Sequence, residues 1–244
     1  MNRVGRAAVM LTLGFTMTRL LWTGAFGWFI QQRMQIPLLI ATIVLIMLGL
    51  YEAIMGTDEE SKYPESRKRS TAPKIGWLMI LPLLVIVSVQ PVGLGAAAAD
   101  RVENFTPVEP SDRFPELEVV DGQVEMRVLD FVDRAIWDDS NSLNDQTVRL
   151  EGLVVNDPAV PDGFLLTRFL VSCCAADGVP IQVALPNVGQ AIPNDSWAVV
   201  DVQLIEPDVA YRDNPADVWF VEAEVLSIEI AAEAPTDAYE SPYE

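Results

Sequence analysis

Two adjacent cysteines with an aspartate three residues further on, in the stretch Ser172-Cys173-Cys174-Ala175-Ala176-Asp177-Gly178, are the residues here whose types and spacing point most directly to chemistry. They are the only two cysteines in the 244 residues, and there is no histidine. Thiolates suit soft or borderline cations such as zinc or copper, and a neighbouring carboxylate adds a third donor. Three donors leave such a site incomplete, to be finished by water, a backbone group or a ligand from a partner. Other readings stay open. The pair can close as a vicinal disulfide in a strained turn. It can serve as two small core residues, since free cysteine is among the most buried residue types. A redox pair is the third alternative, without the C-x-x-C spacing that usually accompanies it. If the preceding strand runs through the pair, Cys173 and Cys174 point to opposite faces. Arg168 is positioned to pair with Asp177 across the turn and hold the loop, or else is an ordinary exposed arginine.

The missing histidine excludes a Ser-His-Asp triad and any histidine-based zinc site, and removes the commonest general base at neutral pH. There is no Walker A motif, no glycine-rich dinucleotide loop and no paired-carboxylate signature above the acidic background. The chain is therefore expected not to be an enzyme.

The elements that would carry the cysteine turn divide by charge and hydropathy. Up to Ala99 the chain has nine Lys/Arg and five Asp/Glu; from Asp100 onward it has seven Arg, no Lys and thirty Asp/Glu. An acidic half of that strength repels nucleic acid, which is bound through clustered cations, and keeps the domain soluble. The basic half contains three apolar runs, at residues 7–30, 35–54 and 75–94. Each has the ~20 residues a helix needs to cross a bilayer. Gln31-Gln32-Arg33-Met34 is short enough only for a tight turn. Lys62, Arg67, Lys68, Arg69 and Lys74 crowd the loop at 55–74, and Arg3 and Arg6 precede the first run. Positive charge stays inside, so the N-terminus and that loop are expected in the cytoplasm and the C-terminal half outside the cytoplasmic membrane, facing lipid only through its anchor. The small-residue run after the third apolar stretch, residues 95–100, has the composition of a helix end and also of a cleavage site. Arg19 lies in the middle of the first run. Such a charge costs ~2.5–3.5 kcal/mol on insertion scales, so it marks a partner contact, or it snorkels or pairs with Thr16, Thr18 or Thr23. Gly14, Gly24, Gly27 and Gly49 allow helices to approach closely.

Beyond a linker at 96–122, residues 123–230 read as β-rich. A helix is expected over 124–137, where Val128, Phe131, Val132, Ala135 and Ile136 keep helical spacing. Strands are expected at 147–155, with a bulge or bend at Gly152, and at 164–174, 179–185, 197–205 and 218–230. Asp195-Ser196-Trp197 reads as a turn into a strand with a core tryptophan. Four or five strands, the first of them bulged, and one short helix suggest a small, partly open OB-like barrel, with a β-sandwich as the alternative. The fold class is thus membrane-anchored α+β: three N-terminal transmembrane helices in 1–95, then a mainly-β barrel domain. The acidic, proline-containing tail at 231–244 reads as disordered.

Thr167-Arg168-Phe169-Leu170-Val171-Ser172 followed by Cys173-Cys174-Ala175-Ala176-Asp177 is similar to the RF-x-x-x-CCAAD signature of the DUF1980 family of permease subunits, the YcgQ-like proteins. The resemblance extends to Trp28-Phe29-Ile30-Gln31-Gln32-Arg33-Met34, to residues 77–95 with Leu81-Pro82 and Pro91-Val92-Gly93-Leu94-Gly95, to residues 148–155 with Gly152, and to residues 196–202. It implies a multi-spanning permease of the DUF318 (UPF0718, YraQ-like) family as partner, and a link to metal supply. Many members carry a histidine-rich cytoplasmic loop, whereas residues 57–74 here have no histidine. Cys173, Cys174 and Asp177 are then the element that faces a metal, zinc or another soft divalent ion. The expected function is that of an accessory subunit whose outer domain caps the permease or presents its substrate. The alternative is a tethered metal-binding or thiol-redox module that acts without a permease.

Overall fold

The structure, a computed structural model, describes residues 3–56, 93–101, 114–160, 162–205, 220–235 and 237–242. The chain forms two compact units, residues Met1–Val92 and Gly93–Glu244.

In the first unit, helix α1 (Arg3–Thr23) packs against α2 (Gln35–Met55). A Cβ on Gly14 would lie 2.7 Å from Ile46 Cγ1, and one on Gly49 2.9 Å from Leu11, so both glycines permit the close approach. Arg6 and Glu52 pair at 3.3 Å. The first apolar run does not form one helix over 7–30: α1 ends at Thr23, and Gly24 takes the left-handed conformation (φ 71°) that stops helices. Two 3-10 turns, Ala25–Trp28 and Gln32–Met34, lead into α2. Among the described residues one helix, Gln32–Met55, is long and apolar enough to cross a membrane. Ile36, Ile40, Ile43, Met47 and Ile54 along it are more than half exposed. The rest of the basic loop and the third apolar run up to residue 92 lie outside the described residues.

The second unit is a small closed barrel. Strands β3 (Val148–Val155), β4 (Phe164–Leu170), β5 (Val179–Leu185), β6 (Trp197–Leu204) and β7 (Val221–Ala231) hydrogen-bond in the order β3-β6-β7-β5-β4, and β4 pairs with β3 again to close the ring. The pairs are antiparallel except β5 with β7. A two-stranded ribbon, β1 (Val119–Val120) and β2 (Gln123–Glu125), extends the sheet beyond β3. Closure depends on β3 serving two neighbours. Its residues 148–153 pair with β6 and 153–155 with β4. Gly152 sits at that handover, where a Cβ would lie 2.8 Å from Leu166 Cγ. The expected bulge is absent from Gly152 and lies instead at Asp201/Val202, between β6 and β7.

Alternation fills the interior, as a half-buried strand requires: Val148, Leu150 and Val154 from β3, Leu166 from β4, Ile181 and Val183 from β5, Val200 and Val202 from β6. Helix α3 (Ala96–Ala99) is a single turn, and α4 (Val128–Trp137) plugs the barrel with Val128, Phe131, Val132, Ala135 and Ile136. Val124, at the head of the expected helix, belongs to β2, because its N–H donates to the Thr147 carbonyl (2.9 Å). Two boundaries move. Residues 93–100 are packed on the barrel, with Ala96 and Ala99 buried. The tail is ordered too: β8 (Tyr239–Glu240) pairs in parallel with β4, and Ala238, Tyr239, Glu240 and Ser241 are all buried.

Candidate functional site

Strand β4 stops at Leu170, four residues short of the expected end, and the Val171 N–H is taken by the Glu240 carbonyl (2.9 Å). The chain then turns, so the cysteines are not on a strand and do not point to opposite faces. The Sγ atoms of Cys173 and Cys174 and a carboxylate oxygen of Asp177 all lie within 4.8 Å of one another. Both thiols are free; Cys173 is exposed and Cys174 half-buried, so neither is a core residue or half of a disulfide.

Asp177 builds the turn. Its Oδ1 accepts the Ser172 N–H (3.0 Å), and its Oδ2 accepts those of Cys173 (2.9 Å) and Cys174 (3.4 Å). The Cys174 side chain accepts in return from the Asp177 N–H at the head of the 3-10 turn Ala175–Asp177. Burial pushes the Asp177 carboxyl up, but the Cys173 thiol and the three backbone N–H groups outweigh it and hold it below the usual carboxylate range. The same carboxylate, accepting from the thiol, pushes Cys173 up to about 11, with Cys174 adding to the effect. The turn thus holds the Cys173 thiol protonated until something displaces the proton.

Arg168 does not pair with Asp177. Its side chain, buried to 6 % exposure, lies 3.6 Å from Glu240 through Nε. Its Nη2 donates to the Asp237 carbonyl (2.6 Å), and the guanidinium stacks over Trp197 at 5.2 Å. Trp197 is therefore a half-buried platform rather than a core residue. Glu240 links this arginine to α4, since its two carboxylate oxygens accept the Val128 and Leu129 N–H groups, both at 2.9 Å. That is the capping a helix N-terminus calls for, supplied from more than a hundred residues away. Burial pushes the Glu240 carboxyl up, against Arg168 and the two N–H groups. The capping role of Glu240 has no local sequence signal, because an isolated Tyr-Glu pair in an acidic tail has no periodicity.

Arg19 is exposed on α1, and the hydroxyls of Thr16, Thr18 and Thr23 each donate to the carbonyl four residues back, that of Thr23 to Arg19 itself. A polar groove of about 500 Å³ is lined by Asn156, Asp162, Gly163, Asn187, Gln190 and Ala191. Asp162 is the one ionisable group among the described residues of that lining.

The donor set suits a soft cation: two thiols on successive residues and a carboxylate, with a position left for a further ligand. A carboxylate oxygen that accepts a backbone N–H keeps a second lone-pair direction for a cation. Thiolate ligation releases protons, and a cation would offset the Asp177 charge that now holds the one on Cys173.

A family model described as the DUF1980 C-terminal domain matches residues 123–235. No curated protein matches the sequence. A crystal structure described as that of an aspartyl-tRNA synthetase from Leishmania major Friedlin is similar at 13% identity over 51% of this chain and 24% of that one. Its TM-score is 0.27, a level of likeness that carries no argument.

Proposed function

We propose, from the premise that the chain belongs to the DUF1980 family, that it is a membrane-anchored accessory subunit of a multi-spanning permease of the DUF318 (YraQ-like) type. Its outer barrel presents a soft metal ion, zinc or a comparable cation, at Cys173, Cys174 and Asp177. Three spans, α1 (Arg3–Thr23), α2 (Gln35–Met55) and the third apolar run at 75–94, hold it with the N-terminus and the basic loop in the cytoplasm. The convergence of three donor atoms within 4.8 Å on one exposed turn carries this reading. The outward apolar face of α2 supports the anchoring. Three helices with one intramembrane charge make a poor pathway alone, so the pathway belongs to the partner.

The protein's own part is positional. Asp177 fixes the turn so that both thiols face one point, and the incomplete donor set lets a ligand from the partner enter and take the cargo. The test uses the full chain, solubilised from its native membrane in mild detergent. Mass spectrometry is expected to find a multi-spanning permease in stoichiometric amount. Equilibrium dialysis against Zn²⁺ or Cu⁺ is expected to find one ion per chain, lost in Cys173→Ser and Cys174→Ser. A chain that purifies alone in several detergents but holds the ion is a tethered metal module. A chain that binds no ion removes the metal reading.

A further inference from the structure

We infer that the cysteine turn is a redox-gated site: under a peroxide, Cys173 and Cys174 close as a vicinal disulfide and the site gives up its cation. This rests on the reading that the turn binds a soft metal ion, and it adds the condition under which the ion is held. The two cysteines are the only ones in the chain, so each has only the other as an intramolecular partner. Both are free, and their Sγ atoms lie within 4.8 Å of each other. Cys173 is exposed, so a small oxidant reaches it, and the half-buried Cys174 stands beside it as the resolving thiol. A thiolate, not a disulfide sulfur, is the metal ligand, so closure removes two of the three donors. The third, Asp177, is left with its three backbone N–H groups.

Covalent geometry makes the bridge labile. The peptide between the two residues is trans, which sets their Cα atoms ~3.8 Å apart, whereas bridged cysteines usually stand about 4.4–6.8 Å apart. A bridge between neighbours is therefore strained, and strained bridges are the readily reduced ones. The barrel has no need of it, since strand pairing alone closes the ring. The bond suits switching rather than holding the fold. In the first step the Cys173 sulfur attacks one oxygen of the peroxide. The O–O bond breaks, a sulfenic acid forms, and the released hydroxide leaves as water with the Cys173 proton. The Cys174 sulfur then attacks the sulfenic sulfur. The S–O bond breaks, the S–S bond forms, and a second water leaves with the Cys174 proton. Two thiols lose two electrons and hydrogen peroxide gains them. A bound cation occupies the sulfur lone pairs that make the first attack, so the loaded site resists.

The test uses the full chain in mild detergent, reduced and desalted without oxygen, then treated with hydrogen peroxide and quenched with catalase. Mass spectrometry of the peptide that carries both cysteines is expected to find it two hydrogens lighter and closed to iodoacetamide. Equilibrium dialysis is expected to find Zn²⁺ held at least tenfold more weakly, and reduced glutathione to restore both readings. A chain loaded with Zn²⁺ beforehand should close several-fold more slowly. Cys174→Ser, which has no resolving thiol, should stop at the sulfenic acid on Cys173, trapped by dimedone. Oxygen gained at Cys173 of the native chain with no bridge, a bridge between two chains, or a bridged chain that holds Zn²⁺ as tightly as the reduced one overturns the switch. In each of these cases a reduced chain that binds Zn²⁺ leaves the metal reading intact. A reduced chain that binds no Zn²⁺ overturns the metal reading and the switch with it, whether or not the bridge forms.

Discussion

Asp177 acts on the cysteine pair in two opposed ways. Its oxygens gather three backbone N–H groups and so bring the two thiols together. Its charge also holds Cys173 up at about 11. At pH 8 the thiolate is then on the order of 10⁻³ of the total, and an exposed cysteine should alkylate slowly despite its accessibility. Asp177→Asn removes the charge and keeps one of the two accepting oxygens, which at the Oδ2 position still serves the Cys173 and Cys174 N–H groups. In a Cys174→Ser background, iodoacetamide at pH 8 should modify Cys173 about tenfold faster in the asparagine variant, since each unit of pKa is a tenfold change in thiolate. The rate is read by intact-mass spectrometry. Equal rates in both chains would remove Asp177 as the group that suppresses the thiol.

Helix α4 shows what periodicity can and cannot reveal. Its apolar spacing was legible, and all five residues the spacing marks are buried, though Leu129 and Arg134 are buried beside them. Its polar face was not. Asp133 is half-buried, one of its oxygens is buried without a hydrogen-bond partner, and burial, with Asp130 adding, pushes its carboxyl up to about 6. The folded state therefore binds this proton more tightly than the unfolded chain, whose value is 3.8. The stability it contributes is fully present below the unfolded value, declines as pH rises, and is gone above about 6. Asp133→Asn should stabilise the barrel at pH 7.5 by about 1–2 kcal/mol, the full shift being discounted for the exposed part of the side chain. The gain should shrink toward zero near pH 4. Thermal unfolding of the two chains across that range gives the difference, and a gain independent of pH would show that Asp133 is not the titrating group. Strands were legible for the same reason as α4: alternation at β3, β5 and β6 is local. The end of β4 was not, because Val171 and the cysteines are as apolar as the strand, and only the Glu240 carbonyl and the Asp177 carboxylate turn the chain aside.

Over the whole molecule, the largest departures from the sequence reading come from contacts between distant segments. Composition assigns the acidic tail to solvent, yet β8 lies on β4 and delivers Glu240 to both α4 and Arg168. Local charge assigns Arg168 to Asp177, nine residues away, yet its partner is Glu240, from the far end of the sequence. Gly152, in the middle of an apolar strand, was legible as an irregular position, but as a bulge or bend of a partly open barrel, whereas it sits where β3 passes from β6 to β4 and closes the ring. The tail should therefore be part of the fold. Truncation after Ala234 removes the cap of α4 and leaves the Arg168 guanidinium, at 6 % exposure, without its carboxylate. An uncompensated buried charge of this kind costs about 3–5 kcal/mol, and a lost cap about 1 more. Urea unfolding of the full chain in detergent, followed by tryptophan fluorescence, should show the midpoint falling accordingly. The orphaned arginine is separable from the lost strand: Arg168→Met in the truncated chain should recover a substantial part of the loss, because the methionine needs no carboxylate. A truncated chain as stable as the full one would mean that β8 adds nothing to the barrel. A loss that Arg168→Met leaves untouched would place it in the helix cap and the strand contacts instead.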